Sequence, residues 1–162
     1  ASENAPDLNA PIPDHRESFS LIERGEAHKV LLNWGLAGEM SESGLVEFYS
    51  HTKSHRKCHN LSADELKEEL GGSKGIIEER LGRPCPALCW PFGRHNDLSV
   101  NTARDNGYDL LFTTRHGVVE KGSNPYSVNR IAVKDSALWF RKSMMVYTNN
   151  ILSKIYLGLK KK

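Results

Sequence analysis

Apolar and polar positions along this chain alternate between two periods. After Ser62, the inward positions Leu66, Leu70, Ser73, Ile77 and Leu81 recur at helical spacing, which predicts a long helix with one face on a sheet. Ser62-Ala63-Asp64-Glu65 forms a capping box at its start, Gly82 ends it, and Pro84 prevents a restart. Gly71, Gly72 and Gly75 interrupt this stretch, each costing about 1 kcal/mol relative to Ala, and mark a kink, a break or close packing. A second helix is expected from Asp97 to Asn106, with Gly107 as its cap and Val100 and Ala103 facing inward. A shorter one is expected from Ser18 to Gly25. Period-two stretches predict a strand over Leu45 to Tyr49. Strand and helix signals alternate from residue 30 to 135, the mark of βα units and a mostly parallel sheet.

Three zones follow from this pattern. Residues 1–29, with Pro6, Pro11 and Pro13, read as an N-terminal loop or arm. Residues 30–135 form the α/β body. Residues 136–162 form a basic amphipathic tail, in which Trp139, Phe140, Met144, Met145, Ile151, Ile155 and Leu159 stand among Arg141, Lys142, Lys154 and Lys160 to Lys162. Such a tail packs back on its own domain or rests on an anionic membrane surface. The length of 162 residues suits one domain, and the hydrophobic content of 38% is lean. A net charge of +2 implies no nucleic-acid partner. No apolar run is long enough to span a membrane. The three cysteines, Cys58, Cys85 and Cys89, are too few and too irregular for a disulfide framework. Oligomeric state is not legible in the sequence.

The chemistry concentrates at Ser50-His51-Thr52-Lys53-Ser54-His55, directly after the predicted strand. Two imidazoles leaving one strand end can clamp a divalent ion while leaving positions open for water, which a hydrolytic site requires. On a helix surface the same spacing would be two solvated side chains, so the strand before it matters.

This segment resembles the second motif of the polysaccharide deacetylases, carbohydrate esterase family four, or NodB-homology domain. The resemblance continues in order. Asn33 to Gly44 looks like the helix before the metal strand, and Leu61 to Gly82 like the helix after it. Ala87-Leu88-Cys89-Trp90-Pro91-Phe92-Gly93-Arg94-His95-Asn96-Asp97 looks like the third motif, Gly107 to Thr114 like the next strand, and Pro125 to Val133 like the segment after that. The family's first motif, an aspartate pair, has no counterpart, since no Asp-Asp occurs in the chain. The chain is therefore expected to correspond to the later part of a deacetylase domain, an incomplete, irregular (β/α) barrel.

The resemblance implies a metal-dependent hydrolase that removes N-acetyl groups from a polysaccharide or oligosaccharide. His51 and His55 would hold zinc or a similar divalent ion, with a family aspartate as third ligand. Trp90, Pro91, Phe92 and Gly93 would line the substrate groove, Trp90 and Phe92 as an apolar platform or, for Trp90, as ordinary core. Cys89 stands where many members carry an arginine, a departure shared with branches that act on poly-N-acetylglucosamine-like polymers. The family's general acid is a late histidine, for which His116 and His95 are the candidates by chain position. If early strands are absent, an open sheet edge is expected. Two other readings stay open: a non-catalytic carbohydrate-binding relative, and a structural zinc module built on the cysteines with a histidine.

Overall fold

A computed structural model describes residues 13–160. The arm expected over residues 1–29 lies outside the described residues as far as residue 12. Beyond it the chain is mostly helical. Asp14 accepts from the Glu17 N–H at 2.8 Å and starts helix α1 (His15–Glu23), three residues before the expected Ser18, because a carboxylate N-cap satisfies an otherwise unpaired donor. A 3-10 turn over Ala27–Lys29 follows. Asn33 caps α2 (Trp34–Glu42) in the same way, accepting from Leu36 N–H at 2.7 Å.

The strand expected over Leu45 to Tyr49 does not form. These residues make no ladder, and Leu45 is 90% exposed. Pairing is confined to Ser50, a parallel bridge to Leu88, in which Ser50 N–H donates to Ala87 O at 3.1 Å and Cys89 N–H to Ser50 O at 2.9 Å. The neighbouring strand explains this. Strand β1 (Ala87–Cys89) is three residues long and is bracketed by Pro86 and Pro91, which have no N–H to extend a ladder.

Helix α3 (Ala63–Leu81) runs unbroken through its glycines. Its Ser62–Glu65 capping box is formed, and Gly82 closes it at φ 63°. Of the three readings of the glycines, close packing holds at Gly71, where an added Cβ would sit 2.7 Å from the Asn106 side chain at the end of α4 (Asp97–Asp105). Strands β1, β2 (Leu110–His116) and β3 (Val128–Arg130) form a parallel sheet in that order, with α4 as the crossover from β1 to β2. Leu66 and Leu70 of α3 and Ala103 of α4 bury against Leu88, Trp90 and Leu111 on one sheet face. Fully burying each leucine contributes about 1.5–3 kcal/mol.

The C-terminal tail is two helices, α5 (Ala137–Tyr147) and α6 (Asn150–Lys160). Asn149 separates them by accepting from the Ile151 and Leu152 N–H groups at 3.0 Å each. Ser153 is buried, and Tyr147 packs edge-on against His116 and Tyr156. Leu138, Met145, Ile151 and Leu159 remain exposed. Among the described residues no helix is long and apolar enough to cross a membrane.

Candidate metal centre

Because Ser50, β1, β2 and β3 run parallel, their C-terminal ends open onto one edge of the sheet, the edge where α/β folds place their sites. His51 follows Ser50 directly, Phe92 lies just beyond β1, and His116 ends β2.

The His51 Nδ1 lies 2.6 Å from the Cys89 carbonyl oxygen. A carbonyl can only accept, so Nδ1 carries a proton, and in the neutral imidazole, the form that binds metals, the lone pair is on Nε2. That lone pair faces His55, whose Nε2 is 3.1 Å away. Two nitrogens each 2.0–2.1 Å from one ion would be separated by about 3.4 Å at a tetrahedral angle and about 2.9 Å at a right angle. The observed spacing falls between the two, so the residues present fit a shared divalent ion. Both rings are exposed, which leaves room for water and substrate.

The segment carrying the second histidine is strained and firmly held. Thr52 and His55 both have left-handed backbone, at φ 70° and 58°, a conformation that costs a non-glycine residue roughly 1–2 kcal/mol. Offsetting contacts come from the segment itself and from α3. Thr52 N–H donates to Ser50 Oγ at 3.2 Å and His55 N–H to Thr52 Oγ1 at 3.1 Å. Ser54 N–H donates to Glu69 Oε2 at 2.9 Å, and the Ser54 hydroxyl donates to Oε1. Burial pushes the Glu69 carboxyl up, but the hydrogen bonds from Ser54 and Thr52 outweigh it and hold it below the usual carboxylate value. Behind His51, the buried Ser50 and Ser73 hydroxyls bond each other, and Tyr108 donates to Leu70 O at 2.8 Å.

Of the four expected groove residues, Phe92 alone presents a face. It is 56% exposed, has φ 56°, and meets the His55 ring edge-on with centroids 4.8 Å apart. Gly93, at φ 65°, closes the turn, and a Cβ there would collide with Thr114. Trp90 is 0% exposed and Pro91 is buried, so neither reaches a groove. The platform expected of Trp90 gives way to core packing, because its ring extends the apolar cluster of Leu66, Leu88 and Leu111 and stacks on His95 at 5.4 Å.

The late histidines are engaged elsewhere. His95 Nδ1 donates to Gly93 O at 3.1 Å. The His116 Nε2 is 2.8 Å from the Tyr147 hydroxyl and lines a cleft of about 750 Å³ with Gly117, Asn129 and Lys154, which none of His51, His55 or Phe92 borders. Nor do the thiols form a site. All three cysteines are free thiols, and burial, which raises Cys85 and pushes Cys58 up to about 11, disfavours the thiolate at both. Among the described residues no group of three His, Cys, Asp or Glu side chains could hold an ion, so the third ligand implied by the resemblance is not among them.

Glu69 and the Cys89 carbonyl are the parts that sequence reasoning missed. For Glu69 a signal existed, a charged residue beside Leu70 on the apolar stripe of α3. The carbonyl has no side-chain signature.

The chain is similar to known proteins along most of its length. The polysaccharide deacetylase family model matches residues 17–111. YxkH of Bacillus subtilis is 25% identical over 118 residues, 73% of this chain and 42% of YxkH. The poly-beta-1,6-N-acetyl-D-glucosamine N-deacetylase of Staphylococcus epidermidis is 29% identical over 110 residues, 61% of this chain and 37% of that protein. Among solved structures, the deacetylase PplD of Streptococcus pyogenes, in complex with acetate, superposes with a TM-score of 0.67 at 28% identity, over 76% of this chain and 54% of that one. A polysaccharide deacetylase from Bacillus cereus gives 0.65 at 26% identity, over 72% and 37%. The chain thus spans about two fifths of the length of these curated relatives.

Proposed function

The chain belongs to the polysaccharide deacetylase family, and from that premise we propose that it carries the metal-holding wall of a hydrolase that removes N-acetyl groups from an acetylated polysaccharide. The observation that carries this reading is the convergence of the His51 and His55 Nε2 atoms at 3.1 Å, with the His51 tautomer set by the Cys89 carbonyl. Family members are metal-dependent. In this chain His51 and His55 would hold a divalent ion, zinc in our reading because two imidazoles and open positions suit it. When bound, the ion would supply Lewis-acid polarisation of an acyl oxygen and activation of water near neutral pH.

The remaining roles fall to the chain's own groups. The Cys89 carbonyl orients His51 and raises its basicity as a ligand, the usual partner arrangement around a metal-bound imidazole. Phe92 offers its ring to the apolar face of a sugar unit beside His55, and its left-handed backbone is the strain expected at a site rather than in a scaffold. The name of the Staphylococcus relative specifies β-1,6-linked poly-N-acetylglucosamine, and the same polymer class is our first choice here.

The test is to titrate the chain with zinc and, in its presence, with an N-acetylglucosamine oligomer. Oligomer binding should weaken roughly tenfold in Phe92→Ala, the equivalent of about 1.4 kcal/mol. Zinc binding should be lost in His51→Ala. Oligomer binding that is undiminished without zinc and in His51→Ala would instead identify a carbohydrate-binding relative.

A further inference from the structure

Glu69 is the one acidic side chain buried in the apolar stripe of α3, 6% exposed between Leu66 and Leu70. Burying a carboxylate is costly unless donors meet its oxygens. Here the donors all come from one segment of three residues, 52–54. Oε2 accepts from the Ser54 N–H at 2.9 Å, Oε1 accepts from the Ser54 hydroxyl, and the Thr52 hydroxyl also favours the ionised carboxylate. The Glu69 carbonyl adds a fourth link, accepting from the Lys53 N–H at 3.1 Å. One helix residue therefore grips three consecutive residues, Thr52, Lys53 and Ser54. That stretch is bounded by the two left-handed positions, Thr52 at φ 70° and His55 at φ 58°.

We propose that Glu69 is a positioning residue for the metal centre: it pins residues 52–54 so that His55 keeps its left-handed backbone and turns Nε2 toward His51. The inference rests on reading His51 and His55 as metal ligands. Its physical content is preorganisation. Without the clamp, the segment between the histidines relaxes to commoner backbone angles, the two Nε2 atoms separate, and the ion must bring them back together at a cost in affinity. Its neighbour Glu68 makes the contrast. Glu68 meets only the Lys53 ammonium at 2.9 Å on the surface and holds none of the segment's backbone.

Glu69→Gln keeps the size of the side chain and one acceptor oxygen but loses the second. Zinc affinity is read by titration calorimetry, and the thermal midpoint is read separately on metal-free protein. The His55 and His116 imidazole signals are followed by NMR without metal. The expected result is zinc binding weakened about tenfold or more, in the range typical of groups that orient a ligand. The metal-free His55 signals should move while those of His116 stay, and Glu68→Gln should bind zinc like the parent. Equal zinc affinity in the parent and Glu69→Gln would overturn the positioning role and leave the metal reading intact. A parent that binds no zinc would overturn both. A weakened affinity fully accounted for by a lower metal-free midpoint, with the His55 signals unmoved, would make Glu69 a fold-stabilising residue only and would also overturn the proposal.

Discussion

His51 and His116 occupy comparable places in this molecule and are held through different ring nitrogens. Both stand at the C-terminal edge of one parallel sheet, both are exposed, and both have a ring nitrogen in a close polar contact. At His51 the contact is made by Nδ1 to a backbone carbonyl, and Nε2 meets the Nε2 of a second imidazole 3.1 Å away. At His116 the contact is made by Nε2 itself, to the Tyr147 hydroxyl, and no second imidazole lines its cleft, where Glu120 is the one carboxylate. The residue type and its place on the sheet therefore do not decide the chemistry. The partner of each ring nitrogen does, and that partner is set by what each strand end packs against: a third-motif turn at His51, a C-terminal helix at His116.

The comparison is sharpest in metal affinity. His51→Ala or His55→Ala should weaken zinc binding more than 100-fold, because removing either imidazole leaves a single ligand. His116→Ala should change it by less than about twofold. Equal losses from all three variants, measured by competition with a chromophoric chelator, would erase the distinction.

The next effect falls on the turn that presents Phe92. Gly93→Ala combines a left-handed backbone with a collision at Thr114 and should destabilise the protein by about 3 kcal/mol in urea unfolding. Gly44→Ala, also left-handed at φ 72° but with open space around it, should cost only about 1 kcal/mol. A similar cost at both sites would mean that Thr114 yields freely and that the turn is not the rigid support described.

An alkaline pH series probes where the histidine segment is anchored in the core. Cys58 follows it by three residues and is fully buried, and burial raises its thiol from 9.0 to about 11. Between those values the folded protein keeps the proton that the unfolded chain releases, so stability must fall as pH rises through this window. Cys58→Ala should therefore show a shallower decline of thermal midpoint from pH 9 to 11 than the parent, with Cys85 accounting for part of what remains. Parallel declines would place Cys58 in contact with water.

The smallest effect is expected on the other side of the comparison. Tyr147→Phe removes one exposed hydrogen bond to His116 and should cost no more than about 1 kcal/mol, with zinc affinity unchanged. A measurable change in zinc binding would tie His116 to the metal centre after all.

Much of this arrangement was legible in the sequence where local chemistry governs it. The Ser62 capping box, the Gly82 stop and the crossover helix α4 between two short strands all follow from side chains acting on neighbouring backbone, and all are present. The histidine pair was legible as a candidate through its spacing and its position after an extended run. What the sequence hid depends on contacts between distant segments. Leu45 to Tyr49 has strand periodicity, but the three-residue β1 between prolines gives it only Ser50 to pair. Trp90 and Phe92 are alike in the sequence, yet one is the floor of the core and the other is lifted out by a left-handed turn. The tail shows a single amphipathic pattern across residues 136–162, and only the Asn149 cap reveals that it folds as two helices. Glu69 reads as a helix-surface acid until the segment 15 residues before it closes over its carboxylate.

The central claim is that this chain holds its metal through the two imidazoles of His51 and His55. X-ray absorption at the zinc edge of the loaded protein tests it most directly. The account predicts a first shell of nitrogen and oxygen at about 2.0–2.1 Å with outer-shell scattering from two imidazoles, and no sulfur. Sulfur at about 2.3 Å would mean that the cysteines hold the ion, and would contradict the account.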